Sequence, residues 1–118
     1  MSNTAKIQRI KKRDDFLRAA KQGKKWVTRR MVIQAFKRDD ANSDIIRVGF
    51  TATKKTGNAV RRNRIKRRMR VLAQDILPTV KAQGYDIVMI GRYKAATHKF
   101  AYLQDDFLEA LKKLGLTA

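Results

Sequence analysis

Chemistry on a phosphodiester needs carboxylates gathered around a cation, or a general base beside a nucleophile. This chain has ten acids, and three pairs of them are sequence neighbours: Asp14–Asp15, Asp39–Asp40 and Asp105–Asp106. Adjacent residues do not face one another on a helix, so such a pair does not close on one ion. They read as helix-start and turn charges. The single histidine, His98, has an intrinsic pKa suited to a general base. No second histidine or carboxylate stands at a telling spacing from it, so it reads as a loop or cap residue. The absence of cysteine excludes thiol nucleophiles, disulfides and thiolate metal sites, and no nucleophile elbow or phosphate loop occurs. What the chain does offer is charge. The stretch TKKTGNAVRRNRIKRRMR, Thr53 to Arg70, carries Lys54, Lys55, Arg61, Arg62, Arg64, Lys66, Arg67, Arg68 and Arg70 and no acid. Its chemistry is the binding of a polyanion, without autonomous catalysis.

The whole composition points the same way. Twenty-nine Lys and Arg against ten Asp and Glu leave a net charge of +19 and a pI near 11.1. Self-repulsion on that scale is relieved by a bound anionic partner, and a clustered basic face is the footprint of nucleic-acid binding. At 118 residues the chain fits one domain, 1–118, with one modest core. No apolar run approaches the roughly 20 residues of a membrane span, and MSNTAKIQRIKKRDDF lacks the apolar centre of a signal peptide. The expectation is a cytoplasmic protein without a membrane partner. A membrane-surface helix would pair its basic face with a broad lipid-seeking one, and the central helix does not.

Several elements must position this charge. Asp14 to Gln22 reads as a first helix, with Phe16, Leu17 and Ala20 on one side and Gly23 as its stop. A strand pattern follows from about Trp26 to Lys37, with Val32, Gln34 and Phe36 on one face and Met31, Ile33 and Ala35 on the other. After the turn signal of Asp39 to Asp44, IIRVGFTAT alternates Ile46, Val48, Phe50 and Ala52 against Arg47, Gly49, Thr51 and Thr53. Asn58 is a good N-cap for a helix that runs to about Leu77, before Pro78. Ile65, Met69, Leu72 and Ile76 form its apolar stripe. Arg62, Asn63, Lys66 and Arg70 fall on one flank, Arg61, Arg64 and Arg68 on the other. YDIVMIGR is continuous enough to be a strand covered on both faces, the best candidate for the sheet centre. A last helix from about Lys99 to Leu114 carries Phe100, Leu103, Phe107, Leu111 and Leu114, with Gly115 as its stop. Glu109 stands one turn from Lys113 and can pair with it.

The run VGFTATKKTGNAVRRNRIKRRMR, Val48 to Arg70, closely resembles the signature region of the bacterial ribonuclease P protein subunit. The likeness of pattern extends through RIKKRDDF, Gly23 and YDIVMIGR with its following helix. The resemblance implies an α+β fold, a two-layer α/β sandwich of order α-β-β-β-α-β-α with a left-handed β-α-β crossover. It also implies a protein cofactor of a ribozyme. The catalytic RNA carries the active site and its magnesium ions, and the protein, one copy per RNA, holds no cofactor of its own. It helps that RNA bind precursor tRNA and remove the 5′ leader.

By position, the resemblance assigns Arg62, Asn63 and Arg64 to the catalytic RNA. Lys54 and Lys55, beside the positive helix N-terminus, meet phosphate there as well. Arg67 is assigned to the same RNA, although the leader is open to it too. Lys66 and Arg70 match positions lining the cleft for the single-stranded leader, with Phe16, Gln34 and Thr51 as its other expected contacts. For Arg61 and Arg68 a solvated face and an RNA contact stand even. Two positions depart from the family's frequent pattern: Ala20 and Gln34 stand where many members carry aromatics, which shifts leader binding from stacking toward polar and basic contacts. On the residues alone, a ribosomal protein would share the size and charge, and a small metal-dependent nuclease the substrate. The spaced RNxxKRxxR pattern separates the first from the reading preferred here.

Overall fold

The structure, a computed structural model, describes residues 6–39 and 44–117; most of the turn expected over 39–44 lies outside them. In chain order the elements are β1 (Lys6–Arg9), α1 (Arg13–Gln22), β2 (Lys24–Val27), β3 (Met31–Lys37), β4 (Ile45–Ala52), α2 (Ala59–Ile76), β5 (Tyr85–Gly91) and α3 (Phe100–Lys113). Short 3₁₀ turns occupy Lys54–Thr56, Leu77–Thr79 and Tyr93–Ala96.

The strands form one sheet of order β1-β4-β5-β3-β2. β4 runs parallel to both β1 and β5, while β3 is antiparallel to β5 and to β2. The near-continuous apolar run of β5 lies at the centre, as its pattern requires. Ile87 and Met89 enter the larger core, and Val88 enters the smaller one on the other face. In the larger core Met31, Ile33, Ile46, Val48 and Phe50 meet Ile65, Met69, Leu72 and Ile76 of α2 and Leu103, Phe107 and Leu111 of α3. On the opposite face α1 sets Ala19 beside Val88 and Ile10, with Phe16, Phe36 and Ile90 packed around them. The expected α+β sandwich therefore has α2 and α3 on one side of the sheet and the short α1 on the other.

Two elements differ from the sequence expectation. The single strand read over Trp26 to Lys37 is a hairpin. Thr28 turns the chain, its hydroxyl donating to the Met31 carbonyl at 2.8 Å and accepting from the Met31 N–H at 3.2 Å. β1 was not expected at all. Four residues carry too little alternation to read, and the strand exists because the edge of β4 offers it a parallel ladder.

The helix that carries the basic cluster begins and faces as expected. Asn58 caps it, with Oδ1 accepting the Arg61 N–H at 2.9 Å. Gly57 precedes the cap at φ 127°, and a methyl group there would fall 2.5 Å from Arg61 Cδ. Ile65, Met69, Leu72 and Ile76 are all buried, so the apolar stripe fixes which flanks remain at the surface.

One buried ion network ties α1 to the sheet. Asp86 is fully buried at the start of β5. It accepts from Arg47 Nε and Nη2 at 2.7 and 2.6 Å and from Arg38 Nη1 at 2.9 Å. Arg47 Nη1 reaches Asp15 at 3.3 Å, and Asp15 meets Arg18 at 3.4 Å. The hydrogen bond to Asp86 dominates the upward shift of the Arg47 pKa. Asp15, expected as a helix-start charge, is thus also the link between α1 and β4.

Candidate nucleic-acid interface

The parallel strands β4 and β5 end together, Ala52 opposite Gly91, and β3 begins there at Met31. The residues that leave these strand ends gather at one pole of the molecule: Lys54 and Lys55 in their 3₁₀ turn, the first turns of α2, the hairpin tip at Arg29, and Arg92 to Lys94. Lys54, Lys55, Arg29, Arg92 and Lys94 are exposed. The outside of the carboxyl ends of parallel strands is where open α/β sheets bind ligands, because the loops converge there.

The two basic flanks of α2 have different employment. On one, Arg61 donates to the Tyr93 carbonyl at 3.0 Å, Arg64 Nε to the Ala96 carbonyl at 2.7 Å, and Arg68 to the carbonyls of Ala95 and His98 at 2.8 and 2.6 Å. These guanidiniums hold the 93–98 segment against the helix. Burial, then the charge of Arg64, pulls the Arg68 pKa downward. Between a solvated face and an RNA contact, Arg61 and Arg68 thus take a third role, as donors to backbone. Arg64 shares that row through Nε and is otherwise exposed.

On the other flank the side chains of Arg62, Asn63, Lys66 and Arg67 make no hydrogen bond or ion pair with the described residues. Arg62 and Lys66 are half-buried, and Asn63 and Arg67 are exposed. Arg70 places Cζ 6.0 Å from the Phe50 ring centroid, and Arg9 of β1 approaches the same ring at 5.5 Å. Arg9 is a member of this surface that sequence reasoning missed, since its strand had no legible pattern.

The face of the sheet that carries α1 is only partly covered. Phe16 lies on Gly49, where a methyl group would fall 2.4 Å from Phe16 Cε1. Gly49, Val88 and Gln34 pair across β4, β5 and β3, and Thr51, Ile90 and Val32 form the next row. Gln34, Val32, Ile90 and Thr51 are half-buried. Phe16 and Thr51 line one open depression of about 450 Å³ with Lys11, Arg13 and Leu17. The structure therefore brings Phe16, Gln34 and Thr51 onto one face, while Lys66 and Arg70 belong to the helix on the other side of β4. Ala20 is exposed beside this face.

Asp106 and Glu109 are engaged elsewhere. Asp106 grips Arg30 through both oxygens at 3.1 and 3.2 Å, and Arg30 Nε donates to His98 Nδ1 at 2.9 Å. His98 is the loop residue expected of it. Partial burial and the charges of Arg30, Lys94 and Arg29 lower its pKa against the opposing pull of Asp106. Glu109 accepts from Trp26 Nε1 at 3.1 Å, and Lys113 sits over the Trp26 ring instead of pairing with Glu109. Among the described residues no three His, Asp or Glu side chains gather as metal ligands.

The sequence profile described as Ribonuclease P matches residues 4–115. The chain belongs to the ribonuclease P protein family. Within that family it is 47% identical over 109 residues to the ribonuclease P protein component of Ruegeria pomeroyi, covering 92% of this chain and 86% of that one. It is 41% identical over 113 residues to the counterpart from Paramagnetospirillum magneticum, covering 94% and 85%. Its fold superposes with a TM-score of 0.79 on the Staphylococcus aureus RNase P protein, solved as a mutant with defective mRNA degradation activity, at 31% identity over 92% of this chain and 88% of that one. The five-stranded sheet with three helices is thus the ribonuclease P protein fold.

Proposed function

We propose that this chain is the protein cofactor of the ribonuclease P ribozyme in the cytoplasm, one copy per catalytic RNA, and that it binds both that RNA and the single-stranded 5′ leader of precursor tRNA. The observation that carries the reading is the unequal employment of α2. One flank is committed to the protein's own backbone. The other presents Arg62, Asn63, Lys66, Arg67 and Arg70 without a hydrogen bond or ion pair to the described residues, and across β4 from it lies the half-covered sheet face bearing Phe16, Gln34 and Thr51.

Arginine suits the contact to structured RNA because its planar fork takes phosphate oxygens in pairs. Arg62 and Asn63, with Lys54 and Lys55 at the positive helix end and with Arg64 through the guanidinium nitrogens that its bond to Ala96 leaves open, are the residues assigned to the catalytic RNA. Phe16 is a platform for an unstacked base. Gln34 and Thr51 supply hydrogen bonds, and Lys66 and Arg70 neutralise leader phosphates. Asp15, Asp86 and Asp106 are bound by guanidiniums, so these carboxylates do not fit a resident metal ion. The chemistry and its magnesium are assigned to the RNA.

Reconstitution tests this. Purified protein with magnesium should leave precursor tRNA intact, and adding the cognate catalytic RNA should give efficient cleavage at low magnesium. Cleavage by the protein alone would overturn the reading. Arg62→Ala should weaken binding to the catalytic RNA by about tenfold or more, the scale of one charge-assisted hydrogen bond. Lys66→Ala and Arg70→Ala should chiefly lower affinity for leader-bearing precursor. Equal effects on both ligands would remove the proposed division of the helix.

A further inference from the structure

Guanidiniums lie over aromatic rings at several places in this protein, and in most of them the N–H groups have an acceptor inside the chain. Arg18 lies over Phe36 and meets Asp15, and Arg30 lies over Tyr102 while it grips Asp106. Arg61 over Tyr93 and Arg68 over Phe100 both donate to backbone carbonyls. Among the described residues Arg9 and Arg70 are the exceptions. Both lie over the one ring of Phe50, at 5.5 and 6.0 Å, and neither makes a hydrogen bond or ion pair with the described residues.

The fold brings them to that ring from two elements. β1 pairs with β4 so that Arg9 stands opposite Val48, and Phe50 is the next residue of β4 on the face that α2 covers. Arg9 is exposed there. Arg70 arrives from α2, half-buried and with its Nε shut off from solvent. A guanidinium laid on a ring has its face occupied, which leaves the N–H edge of the planar fork for oxygen acceptors. Two like charges on one ring also repel, and among the described residues no carboxylate within ion-pair distance offsets them. A phosphodiester, with negative charge and several acceptor oxygens, would satisfy both forks and relieve the repulsion. Binding it costs little ordering, because the ring already holds the two side chains.

We propose that Arg9 and Arg70, held on Phe50, form an arginine clamp for the sugar–phosphate backbone of RNA, at the edge of α2 that faces β1. That RNA is the ligand rests on the reading above; Arg9 as a binding residue, and Arg70 as half of a pair, go beyond it. The clamp lies on the α2 side of the sheet, away from Phe16, Gln34 and Thr51. The catalytic RNA and the precursor offer it the same phosphodiester, and binding measurements with each separate the two sources.

The full chain is titrated with the catalytic RNA, and the reconstituted holoenzyme with leader-bearing and leaderless precursor tRNA, in a double-mutant cycle. Arg9→Ala, at an exposed side chain, should weaken binding about tenfold, the scale of a hydrogen bond to a charged group. The loss should fall on the same RNA that Arg70→Ala weakens, which identifies the source of the phosphate. The double variant should lose clearly less than the roughly hundredfold of two independent contacts, because both forks hold one backbone segment. Arg9→Ala should also reduce the slope of log K against log salt by about 0.7–0.9, the value for one phosphate. Arg9→Lys, which keeps the charge without the fork, should restore that slope and only part of the affinity. Lys6→Ala removes an equal charge from the other end of β1 and should change affinity much less. Unchanged affinity in Arg9→Ala would overturn the inference. So would a loss on a different RNA from that of Arg70→Ala, strict additivity of the two, or an equal loss in Lys6→Ala. If the wild type binds neither RNA, the functional reading itself fails, a result separable from these.

Discussion

Gly49 is the residue on which the proposed leader face turns. The ring of Phe16 occupies the space a side chain would need there, so the platform keeps its position because β4 has no Cβ at that point. Gly49→Ala should displace Phe16 and cost about 1–3 kcal/mol through overpacking. Affinity for leader-bearing precursor should fall while affinity for the catalytic RNA holds; calorimetric melting and titration with each RNA would show both. His98 acts at the same scale. Its native pKa is lowered from the ordinary 6.5, so between those two values the unfolded chain binds more protons than the folded one. The stability from a neutral His98 accepting Arg30 is fully present above 6.5 and falls as the pH drops through that window. Proton NMR should place its midpoint below 6.5, and His98→Gln should flatten the acid limb of the stability profile.

At the scale of the element, α2 is a bracket as well as the proposed RNA-binding surface. Its Arg61–Arg64–Arg68 row satisfies the carbonyls of Tyr93, Ala95, Ala96 and His98 and fixes the segment that leads into α3. Arg68→Ala removes the donors to Ala95 and His98 and should lower stability by about 1–3 kcal/mol. Its effect on binding the catalytic RNA should be much smaller than that of Arg62→Ala. Denaturant unfolding and RNA titration of the two variants give opposite rankings if the flanks are divided as described. The order of strands matters equally. Because β4 and β5 are parallel neighbours, the crossover helix must start at the pole where β4 ends, and its positive N-terminus adds to the charge already gathered there.

At the scale of the molecule, a chain of net charge +19 needs its few acids where they stabilise most. Asp86 sits fully buried between two arginines, and through Arg47 and Asp15 it links the sheet centre to α1. Removing one partner from such a group leaves buried charge uncompensated. Asp86→Ala should therefore destabilise the fold by about 3–5 kcal/mol, read from the urea midpoint, and α1 should be the first helix to lose hydrogen-exchange protection.

Much of this was legible in the residues alone, wherever the signal was local. The Asn58 cap, the Ile65–Met69–Leu72–Ile76 stripe, the central place of β5 and the concentration of charge before Arg70 follow from periodicity and residue type, which a single chain displays in order. The family motif lay in the same local stretch. Other features had no such trace. β1 is four residues whose partner lies some forty positions away. The hairpin at Thr28 interrupts what reads as one alternation. The choice between a phosphate and a backbone carbonyl as the acceptor for an arginine cannot be read from the arginine, since its fork suits both. Only the folded chain brings the carbonyls of Tyr93 to His98 beside one flank of α2 and leaves the other flank facing outward. Residue type determined that this protein binds a polyanion, and tertiary packing decided which of its cations are available to do so.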